Sequence, residues 1–224
     1  MTTIIAKRGL AVRVGVLLVL LASLSLMIVN ADNDDQATVW AADAKTVASL
    51  QKPLPFDVYT IQLPQGFSEA TDESFKDARR SEFNGTARPD GSQASINVWV
   101  AQLTPDQAAG DPIALGEKLL EQSGRTGALN YVRTKSRTGM IGVNWANRFE
   151  DTCQVQAGNL KVDIHAVNFV WIDQGRLVMV SAYDATRYAK QTLPLLEAAV
   201  YSIAPQTAMG DGELSSIVPP DTGQ

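Results

Sequence analysis

Alternation of apolar and polar positions dominates the chain from residue 56 onward, and it is densest between residues 160 and 183. Leu160, Val162, Ile164, Ala166, Val170 and Ile172 share one parity, while Val167, Phe169 and Trp171 share the other. The first half of this arm is apolar on one side; beyond Ala166 it is apolar on both. A second apolar arm over 176–183 follows Asp173-Gln174-Gly175, whose Asp and Gly supply side-chain hydrogen bonding and a positive φ. The spacing predicts a long β-hairpin with a three-residue connection. A strand apolar on both faces needs cover on both, so the hairpin predicts a sheet lying between two helical layers.

The flanking stretches supply the other elements. Tyr59, Ile61 and Leu63 alternate with Thr60 and Gln62 in a half-buried strand that Pro64-Gln65-Gly66 stops, and the polar stretch 67–78 reads as loop. Residues 81–88 and 95–103 read as a strand pair joined through Pro89-Asp90-Gly91. Ile96, Val98 and Val100 share a face there, and Trp99 lies opposite, to meet a second helical layer or to form an exposed binding patch. Asp111-Pro112 opens a helix with Ile113, Leu119 and Leu120 on its apolar side and Gly124 as its terminator. An antiparallel meander follows. It comprises a strand over 129–135, a turn near Thr138-Gly139, a long strand with Ile141, Val143, Trp145 and Phe149 on one face, and a turn at Ala157-Gly158-Asn159. Residues 184–204 are helical, with the regular part starting near a Thr192 cap and Pro194 in its first turn. Leu195, Leu196, Ala199, Val200 and Ile203 form its stripe. The chain contains no internal repeat.

The two ends follow different rules. Lys7, Arg8 and Arg13 precede an uncharged apolar run of 16 residues that begins at Val14 and ends at Val29, and Asp32, Asp34 and Asp35 follow it. Basic before and acidic after orients the rest of the chain outward. Val29 and Ala31 suit the −3 and −1 positions of a signal-peptidase site, so residues 1–31 read as a signal peptide cleaved after Ala31 or as an N-terminal membrane anchor. Residues 32–53 read as a linker in which Trp40, Val47 and Leu50 have the spacing of a short amphipathic helix, and 205–224 as a flexible polar tail.

Composition narrows the chemistry. The formal net charge is −5, and the first 31 residues hold three cations and no acid, so the remainder carries −8. That charge repels phosphate backbones and argues against nucleic-acid binding. The single cysteine, Cys153, permits no intrachain disulfide, and the single histidine, His165, removes most His-based metal sites. His165 shares a side of its strand with Lys161 and Asp163 but has no nucleophile near it in sequence. Cys153 and His165 fall on adjacent predicted strands, which leaves a thiol dyad geometrically open, though strand interiors commonly bury cysteine as a small hydrophobe. Glu150 and Asp151 are consecutive and point to opposite faces. Gly139-Met140-Ile141-Gly142 lacks the Gly-Lys-Ser/Thr ending of a phosphate loop, and Asp32, Asp34 and Asp35 lack EF-hand spacing. No catalytic, cofactor-binding or metal-ligating residue is assigned.

The element order is an α+β pattern, a central antiparallel sheet flanked by helices, preceded by an N-terminal hydrophobic helix. Tyr59-Thr60-Ile61-Gln62-Leu63-Pro64-Gln65-Gly66-Phe67 resembles the opening strand and proline turn of PsbP-like domains. Gly175-Arg176-Leu177-Val178-Met179-Val180-Ser181-Ala182, ahead of a last helix ending in Tyr201-Ser202-Ile203, resembles their closing strand and helix. The resemblance covers about residues 54–204 and implies an α/β/α sandwich of a non-catalytic kind, serving assembly, stabilisation or binding, often in exported proteins. The expectation is therefore an exported or membrane-anchored binding and assembly domain, not an enzyme, with a protein partner in the cell envelope and no cofactor. The alternatives are a carrier of a small apolar ligand in the envelope and, after it, a hydrolase with an unfamiliar site.

Overall fold

The computed structural model of the chain describes residues 38–70, 80–157 and 160–206. The run from Val14 to Val29 and the cleavage position, the acidic cluster at 32–35, most of the 67–78 stretch, Gly158-Asn159 and residues 207–224 lie outside them. Among the described residues, no helix is long and apolar enough to cross a membrane.

In chain order the elements are β1 (Val39–Trp40), α1 (Ala44–Ala48), β2 (Leu54–Phe56), β3 (Tyr59–Ile61), β4 (Ser68–Glu69), β5 (Arg80–Asn84), β6 (Ser95–Gln102), α2 (Pro105–Ala109), α3 (Pro112–Arg125), β7 (Ala128–Ile141), β8 (Asn144–Ala157), β9 (Leu160–Asp173), β10 (Arg176–Ala185), α4 (Thr186–Tyr201) and β11 (Ala204–Pro205). An eight-stranded sheet runs β1-β7-β8-β9-β10-β6-β5-β4, and a small sheet runs β11-β3-β2. All pairs are antiparallel except β1 with β7, where Val39 and Trp40 lie parallel to Met140 and Ile141.

The two-sided hairpin lies inside the large sheet, between β8 and β6. Val167, Phe169 and Trp171 of β9, with Val178 and Val180 of β10, join Leu193, Leu196, Ala199 and Val200 of α4 in one core. Val170, Leu177 and Met179 point the other way and pack with Phe149 and Leu120 of α3, joined by Trp99. Trp99 therefore meets the second helical layer. Gly116 sets how closely α3 approaches, since a Cβ there would stand 2.6 Å from Cγ1 of Val170.

Several boundaries differ from those the pattern predicts, each for a local reason. The β9–β10 connection has two residues, because Gln174 and Gly175 both adopt positive φ (49° and 75°), the requirement of a type I′ turn, and Asp173 pairs with Arg176. The β7–β8 turn lies at Gly142-Val143, where Gly142 takes φ 59°; Thr138 pairs with Asn147 in the ladder, so Ile141 ends β7 while Trp145 and Phe149 do share a face of β8. Helix α3 runs past Gly124 to Arg125 and closes at Thr126-Gly127, because Gly127 supplies the positive φ (71°). Helix α4 starts at Thr186 and holds Pro194 in its interior, with burial of Leu193, Leu196 and Ala199 offsetting the lost backbone donor. Thr192 caps nothing; its hydroxyl donates to Asp184 at 2.6 Å and to the Tyr188 carbonyl at 3.1 Å. The 67–78 stretch contains the short strand β4, and α2 forms through a capping box between Thr104 and Gln107. Strand β5 ends at Asn84, and the remaining residues up to Gly91 form its turn.

The start of α4 is tied to the β5–β6 turn. Asp184 is fully buried, accepts both arms of the Arg88 guanidinium at 2.7 Å, and also accepts from the Ala185 backbone N–H at 2.7 Å. Asp184→Ala should lower unfolding free energy by about 3 kcal/mol in urea titration, the low end for a broken buried pair because Arg88 keeps some solvent contact. Gly116→Ala should cost about 1–3 kcal/mol by the same measurement, as α3 is pushed off Val170; an unchanged midpoint would show that α3 does not depend on this approach.

Candidate site in a cleft beneath helix α3

The α3 face of the sheet is not apolar throughout. Successive pairings place Glu82, Asn97, Ser181 and Asn168 in one transverse row across β5, β6, β10 and β9. Because neighbouring strands bring paired residues to the same face, this row crosses the sheet as a polar band, with Phe149 continuing it on β8. Asn97 and Asn168 are buried. Beyond the row, where α3 ends, a half-enclosed cleft of about 330 Å³ opens between the sheet and the helix. Trp99, Leu120, Val155, Ile164 and Ala166 form its apolar walls, and Ser123, Gly124 and Thr126 bring the C-terminal end of α3 to its rim.

Each polar group has a definite place. Arg80 donates to Asn97 Oδ1 at 2.7 Å and to Glu82 at 2.9 Å, and lies 5.1 Å over the Trp99 ring. Asn168 donates to Asp151 Oδ2 at 2.8 Å. Asp151 is only 4% exposed, and its other oxygen, Oδ1, has no hydrogen-bond partner; nor has the buried hydroxyl of Tyr131. Tyr131 lies beside the carboxyl without hydrogen-bond geometry. Its ring packs on Gly124, where a Cβ would come within 3.0 Å of Cε2, and carries Arg125 at 4.7 Å on its face. Burial pushes the Asp151 carboxyl above its ordinary pKa, opposed by Tyr131, Arg133 and Asn168 and helped by Glu121. Burial, then the Asp151 charge, also raises the Cys153 thiol, which disfavours a reactive thiolate.

The geometry separates the residues that looked closest to catalysis in sequence. Cys153 lines the cleft on the α3 face. His165 lies on the α4 face, where its Nε2 is 3.3 Å from Glu150, and Glu150 also accepts from Arg148 at 2.8 Å. A sheet stands between thiol and imidazole, so they form no dyad. Glu150 and Asp151 do point to opposite faces. Among the described residues, no group of three His, Cys, Asp or Glu is placed to hold a metal. Sequence reasoning passed over Asn97, Asn168, Ser181 and Tyr131. The signal was present as parity: Asn168 is the polar residue on the side of β9 otherwise held by Ala166, Val170 and Ile172.

A second feature lies at the other end of β8. Val39, Met140 and Trp145 form a transverse row across β1, β7 and β8, and Val143 occupies the adjoining turn. Val39 is 61% exposed, Val143 86% and Trp145 59%.

Sheet, two helical layers and the terminal small sheet define a PsbP-like α/β/α sandwich. Among solved structures, cyanobacterial PsbP (CyanoP) from Synechocystis sp. PCC 6803 is similar, with a TM-score of 0.50 and 12% identity over 73% of this chain and 89% of that one. The Ran-binding protein Mog1p of Saccharomyces cerevisiae aligns at TM-score 0.46 with 11% identity, covering 66% of this chain and 90% of its own. LpqN of Mycobacterium tuberculosis, involved there in cell envelope biogenesis, aligns at 0.40 with 13% identity over 73% and 98%. No protein-family model matches the sequence, and no curated protein matches it. At these identities the likeness is one of fold.

The raised Asp151 carboxyl gives a pH signature. The native state holds its proton more tightly than the unfolded chain, whose carboxyl titrates near 3.9, so its contribution to stability is full below that value and is lost as pH rises through the native value. The melting temperature of Asp151→Asn relative to wild type should therefore climb between pH 4 and 7. A difference that stays flat across that range would show the carboxyl to be solvated.

Proposed function

We propose that the chain is an extracytoplasmic, non-catalytic binding domain that docks on a protein partner in the cell envelope through the tip of the β7–β8 hairpin and the adjoining β1. The observation that carries this reading is the apolar row of Val39, Met140 and Trp145, exposed at Val39 and Trp145 and half-buried at Met140, with the exposed Val143 at the turn. Contiguous exposed apolar side chains mark interaction surfaces, and tryptophan and methionine are enriched in the centres of such surfaces. Export is supported by the charge pattern around the run from Val14 to Val29. That run either tethers the domain or is removed after Ala31. The separation of Cys153 from His165 by the sheet speaks against thiol catalysis.

A photo-crosslinking amino acid placed at position 145 of the full-length chain, in cells of the source organism, should yield one adduct of discrete mass. The same group at the exposed Lys190 on α4 should yield none. Absence of an adduct at 145, or the same adducts at both positions, would remove the docking surface.

A further inference from the structure

The cleft and the docking row use different residues at opposite ends of β8, so the cleft requires its own account. Three observations bear on what it would hold. First, the charges around it are matched except one: Arg125 pairs with Glu121 at 2.6 Å, Arg133 with Glu117 at 2.8 Å and Arg80 with Glu82 at 2.9 Å. Among these groups the carboxyl of Asp151 alone has no cation bonded to it. Second, Asp151 Oδ1 is buried without a hydrogen-bond partner, and buried polar atoms are otherwise almost always satisfied. Third, the C-terminal end of α3 reaches the rim with Ser123, Gly124 and Thr126, and the carbonyl end of a helix favours a positive group. The opposing observation is Tyr131, whose hydroxyl lies beside the same carboxyl and is equally unpaired.

We propose that this cleft binds a small primary amine, its ammonium on Asp151 Oδ1 below the end of α3 and its apolar body against Trp99, Leu120 and Ile164. An ammonium has three donors. One satisfies Oδ1, and the helix-end carbonyls at the rim are the acceptors available to the others. A cavity of about 330 Å³ is at the small end of ligand pockets and suits a body of one ring or a branched alkyl group. A wholly apolar ligand would leave the Asp151 oxygen unpaired, and an anion would meet a buried carboxyl.

The test is a titration of the ¹⁵N-labelled full-length chain with benzylamine and, separately, with its neutral analogue benzyl alcohol. Benzylamine should move the side-chain amide signals of Asn168 and the indole signal of Trp99 saturably, with a Kd at least about tenfold below that of benzyl alcohol, as a charge-assisted bond to a buried group requires. Asp151→Asn should bring the two probes within about threefold of each other. Ala166→Phe, which fills the cleft from the strand position paired with Asp151 while keeping the carboxyl itself, should abolish both shifts and keeps the test decisive if Asp151→Asn fails to fold. Tyr131→Phe should leave benzylamine binding in place. Equal affinities for amine and alcohol, shifts that map away from the cleft, no saturable shift, or benzylamine binding that survives Ala166→Phe would each overturn the proposal. So would loss of binding together with thermal stability in Tyr131→Phe, which would make Tyr131 and Asp151 a structural pair.

Discussion

The β9–β10 hairpin has to be covered on both faces, and most of the architecture follows from that. Phe169 and Val180 face one way while Val170 and Met179 face the other, all of them buried. A single helix covers one face only. The chain answers with α3 before the meander and α4 after it, so the two layers come from opposite ends of the sequence around a shared pair of strands. Each layer then needs its own register device. For α3 it is the missing side chain at Gly116, which brings the helix down on Val170; for α4 it is Asp184, which holds the helix start against Arg88 of a distant turn.

The two layers are unequal, and the difference is where the chemistry collects. The α4 side carries a continuous core of aromatic and branched residues, including Phe169 edge-on to Tyr201 at 5.7 Å. The α3 side has a smaller core interrupted by the Asn97, Ser181 and Asn168 band. Amide and hydroxyl groups in such a band need hydrogen-bond partners, which apolar side chains packed over them do not supply. A cleft beside the end of α3 is the physical result. Its depth is set by Tyr131, which can lie flat against the helix because position 124 has no side chain.

Much of the fold was legible in the sequence because burial writes itself in period two. Parity alone placed Phe169 and Val170 on opposite faces, demanded two helical layers, set Trp99 opposite the apolar side of its strand and separated Glu150 from Asp151. What parity could not place were the turns, since each depends on which residue takes positive φ. Gly139, Gly142, Gly124 and Gly127 are equivalent as letters, and only Gly142 and Gly127 adopt that conformation. The extent of α4 was hidden for a related reason: Pro194 reads as a start signal, while the true start is set by Asp184 at the end of β10. The site was the least legible part. Asn97 is remote in sequence from Asp151 and Asn168, which stand on consecutive strands, and what joins the three is cross-strand register, which no local pattern states.

The small sheet ties the two ends of the described domain together. Ala204 and Pro205 pair with Thr60 and Tyr59, the Gln62 backbone N–H donates to the Ser202 hydroxyl at 2.8 Å, and the Tyr59 hydroxyl reaches Asp173 at the tip of the central hairpin at 2.9 Å. These contacts join residues more than a hundred positions apart, so the entropy of closing that loop is met only once the large sheet and α4 already stand. The small sheet is thus a clasp that forms last. Opened locally, it would withdraw Phe56, Tyr59 and Ile61 from the α4-side core, while the cleft and the α3-side core remained closed. A pull from the N-terminal side would load the two-residue pairing of β1 with β7 first and reach Tyr59 and Asp173 only after it.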